Sequence, residues 1–257
     1  MSKLVTFEQD GAVGTITLRR PEKFNALDIP MLEALAIALD EAEAADAVRV
    51  VLVTGDGKGF CAGGDVEAWS AMNAADFQIK WVRLGHRVFD RLARLRQPTI
   101  AVLSGHALGG GLELAAAADF RVAERHIKLG FPENSIGVVP GWSGTQRAVR
   151  RFGAQAVRRM AIGGEILLAE QALALGVVDR VVDTGAGLID ATAWAKMIAE
   201  RGPLATEATK MMIAVAEGED VSGAAETLAS GFIASTGDLK AGVEAFRSKQ
   251  KAIFSRT

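Results

Sequence analysis

The feature that most constrains this chain is a pair of glycine-rich segments, each placed directly after an apolar, β-branched run. Residues 48–54 read as a buried strand, and the segment 55–64 that follows holds Gly55, Gly57, Gly59, Gly63 and Gly64. Residues 99–104 read as a second buried strand, followed by Gly105-His106-Ala107-Leu108-Gly109-Gly110-Gly111 and then by strong helix formers at 112–118. Glycine permits positive φ and lets another group approach the backbone closely. The first amides of a helix have no internal partner and sit at the positive end of its dipole. Gly110 and Gly111 are therefore placed to donate to a developing negative charge. Neither segment carries the Lys-Ser/Thr of a phosphate-binding P-loop or the spacing Gly-x-Gly-x-x-Gly. A carbonyl oxygen turning into an oxyanion fits better than a nucleotide phosphate, and each amide donor to it is typically worth about 3 kcal/mol in the transition state.

Around these segments the chain alternates strands and helices. Residues 4–18 read as two strands about the turn pair Asp10-Gly11, and Pro21 and Asn25 mark a loop. Asp28 is a candidate helix cap for residues 31–45. Residues 75–95 read as one long amphipathic helix closed by Gln97-Pro98, and further strands are expected near 120–123, 127–129 and 177–182. From about residue 188 the pattern is nearly all helical. The expectation is an α/β core over residues 1–187 and a helical region over 188–257.

Two acidic residues stand beside the glycine segments. Glu113 lies in the first turn of the helix after the triple glycine, where an acid also gains from the helix dipole. Glu133 follows Pro132 in a segment bounded by Gly130 and Gly137. Either alone has an ordinary explanation, as a helix-terminus charge or a solvated loop residue. Two carboxylates facing one pocket would separate in pKa and leave one acid and one base.

Other features narrow the possibilities. The net charge of −2 favours neither nucleic acid nor an anionic membrane surface. No apolar run approaches the roughly 20 residues that span a bilayer, Glu8 and Asp10 interrupt any secretion signal, and the terminal Ser-Arg-Thr is neither a peroxisomal address nor a lipidation site. The single cysteine, Cys61, excludes an internal disulfide, so a cytoplasmic location is expected. Cys61 has no histidine close in sequence and reads as a small buried residue rather than a nucleophile. His86, His106 and His126 lack the local spacing of a metal site, so no metal is expected. Arg147, Arg150, Arg151, Arg158 and Arg159 read as a solvated or subunit-facing helix surface, and Asp119 as a hydrogen-bonding group at a strand start.

Taken in order, the motifs resemble the crotonase (enoyl-CoA hydratase/isomerase) superfamily. Phe60-Cys61-Ala62-Gly63-Gly64-Asp65 and Gly105-His106-Ala107-Leu108-Gly109-Gly110-Gly111-Leu112-Glu113 are similar to its two signature segments. Pro132-Glu133 and the stretch from Gly137 to Arg147 resemble the third, Arg20-Pro21-Glu22-Lys23-Phe24-Asn25-Ala26-Leu27 the CoA-binding segment, and Ala245-Phe246-Arg247-Ser248-Lys249 the terminal helix. The resemblance implies a spiral of β-β-α units with a C-terminal helical trimerisation region, assembled as a homotrimer or homohexamer. It implies oxyanion-hole amides from Gly64 and Gly110 and catalytic glutamates at Glu113 and Glu133. It also implies a CoA path along Lys23, Phe24, Asp65 and Val66, with Lys249 near the CoA phosphates. The implied reaction is hydration of a trans-2-enoyl-CoA, with coenzyme A part of the substrate and no further cofactor; double-bond isomerisation or another acyl-CoA reaction of the superfamily is the alternative. Trp142-Ser143 departs from the family's smaller, glycine-rich pair and puts the acyl group in question. Trp142 reads equally as pocket lining or as core, and His106 as a packing residue within the second glycine segment.

Overall fold

The computed structural model describes residues 3–255 and 257; Arg256 of the terminal tripeptide lies outside them. Strands β1 (Val5–Asp10) and β2 (Val13–Leu18) form a hairpin whose turn holds Gly11 at φ 58°. Helix α1 (Ile29–Ala44) starts where the Asp28 side chain accepts the Met31 N–H at 2.9 Å, as an N-cap should. There follow β3 (Val50–Gly55), β4 (Gly59–Cys61), α2 (Val66–Trp69), α3 (Ala74–Asp76) and α4 (Arg83–Ala93). Next come β5 (Thr99–Leu103), β6 (His106–Leu108), α5 (Gly110–Ala117), β7 (Phe120–Glu124) and β8 (Lys128–Gly130). The remaining elements are α6 (Gln146–Phe152), α7 (Ala154–Ala161), β9 (Leu167–Leu168), α8 (Ala169–Ala174), β10 (Arg180–Val182), α9 (Gly187–Ala199), α10 (Pro203–Ala216), α11 (Val221–Ala234) and α12 (Gly237–Ser248).

The strands form two sheets. One has the order β1-β2-β3-β5-β7-β10 and is parallel except for the β1–β2 hairpin. The other has the order β4-β6-β8-β9. Three successive pairs, β3–β4, β5–β6 and β7–β8, each send the first strand to the larger sheet and the second to the smaller one, and helices follow each pair. This is the expected spiral of β-β-α units. Both glycine segments, for which the sequence pattern indicates no strand, contain a three-residue strand of the smaller sheet. Strands this short, rich in glycine, lack the alternation that marks longer ones. The helix expected over 75–95 is also not uniform, since residues Phe77–Val82 adopt a π-helical turn before α4.

Alternate residues of the larger sheet face two cores. Ile16, Leu18, Val51, Val53, Ala101 and Leu103 join the core that includes α1, α4 and α5. Val50, Leu52, Ile100, Val102 and Val122 face the other way and pack with Ala191 and Ala195 of α9. The compact units are Met1–Thr206 and Glu207–Thr257, so the division expected at 187/188 falls instead at 206/207. The reason is α9, whose alanine face is buried on the sheet. In the second unit Phe232 of α11, Leu239, Val243 and Phe246 of α12, and Phe254 beyond α12 are exposed.

Asn25 ties the amino-terminal segment to the first glycine segment. Its fully buried side chain donates to the carbonyls of Asp56 at 2.9 Å and Gly59 at 2.7 Å, and accepts from the Arg20 N–H at 2.8 Å. Asn25→Ala leaves these buried groups unpaired and is expected to destabilise the fold by about 2 kcal/mol or more. Urea denaturation of the two proteins side by side measures it.

Candidate active site

The amide of Gly64 is freed by how its neighbours pair. A parallel bridge between Leu27 and Gly64 uses the Gly63 carbonyl, which accepts from Leu27 at 2.8 Å, and the Asp65 N–H, which donates to Leu27 at 2.7 Å. Successive amides along extended chain point to opposite sides, so the Gly64 N–H faces away from this bridge. Gly110 is the first residue of α5, behind Gly109 at φ 52°. Its N–H has no helical acceptor by position. The two amides are neighbours: a Cβ added at Gly110 would stand 3.4 Å from the Gly64 nitrogen, and one added at Gly63 would stand 3.1 Å from the Gly110 nitrogen. Glycine is required beside them, because a Cβ at Gly111 would lie 2.0 Å from the Cys61 carbonyl oxygen. Among the described residues, neither the Gly64 nor the Gly110 amide meets an acceptor.

Glu113 follows in the first turn of α5 and is only 2% exposed. Its Oε1 accepts the N–H of Trp142 at 2.7 Å and of Gly144 at 2.6 Å. Between those donors Ser143 stands at φ 81°, a left-handed conformation rare outside glycine. That single residue turns the amides on either side of it toward one oxygen, an anion-binding nest built from backbone. The Ser143 hydroxyl is 3.2 Å from His86 Nδ1, which anchors the nest to α4. Burial pushes the Glu113 carboxyl up to about 7; the two amides oppose the rise and the charge of Glu133 adds to it.

Glu133 opens a short 3-10 helix, Glu133–Ile136, after β8. Its carboxyl lies against Gly109, where an added Cβ would meet Oε1 at 3.1 Å. Both of its carboxylate oxygens are buried without a hydrogen-bond partner among the described residues, and desolvation pushes its pKa up to about 6. Glu113, Glu133, Gly64 and Gly110 all line one cavity of about 490 Å³, together with Val66. The rest of its wall is largely apolar and includes Trp69, Phe77, Trp81 and Trp142.

Other anticipated residues fall outside that lining. Lys23 forms an ion pair with Glu67, and Phe24 is exposed in a left-handed turn whose carbonyl accepts the Ala62 N–H. Asp65 has its polar groups engaged: its carboxylate pairs with Arg20 at 2.8 Å and caps α2, and its carbonyl accepts the Ala68 N–H. Lys249 belongs to the second unit, where it ends α12 in a left-handed conformation. His106 is on the exposed side of β6, its Nδ1 accepting the Lys128 N–H at 3.1 Å. Cys61 is buried and its thiol is pushed up to about 12, which keeps it protonated. Asp119 accepts from the Thr99 N–H at 2.8 Å and hydroxyl at 2.9 Å, joining the starts of β5 and β7. Within the arginine stretch Arg147 is turned inward, paired with Asp90 at 2.7 Å. The nest at 142–144 was not legible in advance, because a serine at positive φ carries no sequence signal.

A family model described as Enoyl-CoA hydratase/isomerase matches residues 8–257. This chain belongs to that family. A short-chain-enoyl-CoA hydratase of Clostridium acetobutylicum is 34% identical to this family member over 250 residues, covering 96% of the chain and 95% of the relative. A crotonyl-CoA hydratase of Syntrophomonas wolfei is 33% identical over 256 residues and covers 97% of each. The crystal structure of an enoyl-CoA hydratase from Bacillus anthracis superposes with a TM-score of 0.81 at 31% identity, covering 98% of both chains. Family membership also accounts for the two-sheet spiral.

The buried Glu113 makes stability depend on pH. Below pH 4.5 its carboxyl is neutral both folded and unfolded; between 4.5 and about 7 it ionises only in the unfolded chain, so the folded state loses ground as pH rises. Glu113→Gln does not titrate. The variant is therefore expected to gain roughly 3 kcal/mol on the parent protein between acid and mildly alkaline pH. Urea denaturation at a series of pH values tests this, and a difference independent of pH would refute it.

Proposed function

We propose that the protein adds water across the C2=C3 bond of a trans-2-enoyl-CoA and yields a 3-hydroxyacyl-CoA. One observation carries this reading: two adjacent amides without acceptors and two buried carboxyl groups share a single cavity. The amides of Gly64 and Gly110 bind the thioester oxygen and stabilise the enolate that forms as C3 is attacked. Each such donor contributes on the order of 3 kcal/mol. Glu113 takes a proton from water as its oxygen bonds to C3, and Glu133 delivers a proton to C2. Support for this division comes from the two N–H groups that favour the carboxylate at Glu113; the order of the two pKa values, about 7 there and about 6 at Glu133, runs against it, so the roles rest on the hydrogen bonds and not on that order. With Oε1 of Glu113 doubly occupied, Oε2 is the oxygen left to receive the proton. Relatives named as hydratases along nearly their whole length add weight to hydration over isomerisation.

In this reading CoA enters as part of the substrate, past the segment of Lys23, Phe24, Asp65 and Val66. No separate cofactor or metal takes part, and the setting is the cytoplasm. The working form is a homotrimer or homohexamer, supported by the apolar residues that α11 and α12 expose. Light scattering of the purified chain tests the assembly.

Loss of the conjugated enoyl-thioester absorbance measures the reaction. Glu113→Gln and Glu133→Gln are each expected to lower kcat by about a hundredfold or more, because acid–base groups contribute on that scale. An isomerase working with one base would tolerate one of the two changes. The pair titrates as a unit between about 6 and about 7, so hydration should rise as the first carboxyl ionises and fall as the second does. A rate that climbs steadily into alkaline solution would exclude the acid role of Glu133.

A further inference from the structure

Three of the four tryptophans of the chain stand around the α-carbon of Gly64. A Cβ added there would lie 2.8 Å from Trp81, 3.4 Å from Trp69 Nε1 and 3.6 Å from Trp142. Trp142 also covers Gly110, where an added Cβ would be 2.8 Å from the ring. The indoles of Trp81 and Trp142 meet at 4.8 Å with a 51° tilt, and Phe89 of α4 backs Trp142 at 5.3 Å, edge to face. Gly85 of α4 gives the Trp142 indole its seat: a Cβ there would come within 2.2 Å of Nε1. Both rings are almost fully buried, and the backbone N–H of Trp142 is bound to Glu113. This aromatic wall is closely packed and borders both glycines that carry the amides.

We propose that Trp142 and Trp81 act as a depth stop that restricts the site to compact, flat acyl groups, short enoyl or aryl-conjugated, and excludes long flexible chains. The inference rests on the enoyl-CoA reading above. An acyl group whose thioester oxygen is held by the Gly64 and Gly110 amides has its next carbons beside these rings. A planar conjugated group can lie against an indole face in the offset or edge-on geometry that aromatic pairs adopt. Between the amides and α4 the way is occupied by the Trp81 and Trp142 rings, with Phe89 behind and Gly85 beneath the Trp142 indole. A long alkyl chain turned aside by the rings would run along the wall at Ile136 and Val139, which are 56% and 77% exposed. Methylene groups routed there stay in contact with water, so they forgo the roughly 0.8 kcal/mol that burial of each would contribute.

The test compares kcat/KM for crotonyl-, hexenoyl-, decenoyl- and 3-phenylpropenoyl-CoA in the parent protein and in Trp142→Leu. The parent protein is expected to favour the crotonyl and phenylpropenoyl thioesters over decenoyl-CoA by about tenfold or more. Trp142→Leu should move the decenoyl-to-crotonyl ratio upward by a comparable factor. A parent protein that prefers decenoyl-CoA, or a folded variant with an unchanged ratio, overturns the depth stop. Should Trp142→Leu fail to fold by circular dichroism, Trp142→Phe and Trp81→Phe carry the same comparison with smaller shifts. If no thioester turns over, calorimetric binding of butyryl-CoA and decanoyl-CoA separates the two proposals. Preference for butyryl-CoA then supports the stop while the hydration reading fails, and equal or reversed affinity overturns the stop itself.

Discussion

A buried carboxylate oxygen gripping two backbone amides organises this site. Oε1 of Glu113 receives the N–H groups of Trp142 and Gly144, which joins the first turn of α5 to a segment with no regular structure of its own. From the other side this segment is held by α6, whose Arg147 and Val149 amides donate to the Ser143 and Thr145 carbonyls. The tie to Glu113 requires Ser143 in a left-handed conformation, and the backbone strain is met by close surroundings: the His86 contact, the inward Arg147–Asp90 pair and the Trp142 ring seated on Gly85. One interaction thereby sets the position of the Glu113 carboxyl and of the wall beside it.

The same economy is visible at the amides. The chain frees Gly64 by pairing its two neighbours with Leu27, and frees Gly110 by making it the first residue of a helix. Two unrelated local devices deliver donors to one place because β4 and β6 are adjacent parallel strands of the smaller sheet. Gly63 and Gly111 let these backbones approach to distances that a methyl group would forbid, and Gly64 and Gly110 leave room for the rings of Trp81 and Trp142. Desolvation completes the arrangement: the enclosure that leaves Glu133 without partners raises both carboxyl groups toward neutrality, where proton transfer in either direction is possible.

Much of the scaffold was legible because its elements are long and strongly patterned. The β1–β2 hairpin, the Asp28 cap, the strands at β3 and β5 and the helix after Gly109 follow directly from apolar runs, turn pairs and capping residues. Less legible were β4, β6 and β9, whose two or three residues give no period, and the π-helical turn at Phe77–Val82, which breaks a continuous amphipathic pattern. The role of α9 was also hidden. Its alanines suit a helix in any module, and only their burial against Val50, Leu52 and Ile100 assigns them to the sheet.

By itself the sequence determined the α/β class, the two glycine segments, the acidic residues beside them and the family they resemble, because each is written in contiguous residues. Tertiary structure alone decided that Gly64, Gly110, Glu113 and Glu133 line one cavity, that Trp142 is a wall of it, and that Asp65 has its polar groups engaged. Those facts depend on groups brought close through the pairing of distant strands and on water excluded by the packing around them. Neither the distance between remote residues nor the polarity of their shared surroundings is encoded at any single position.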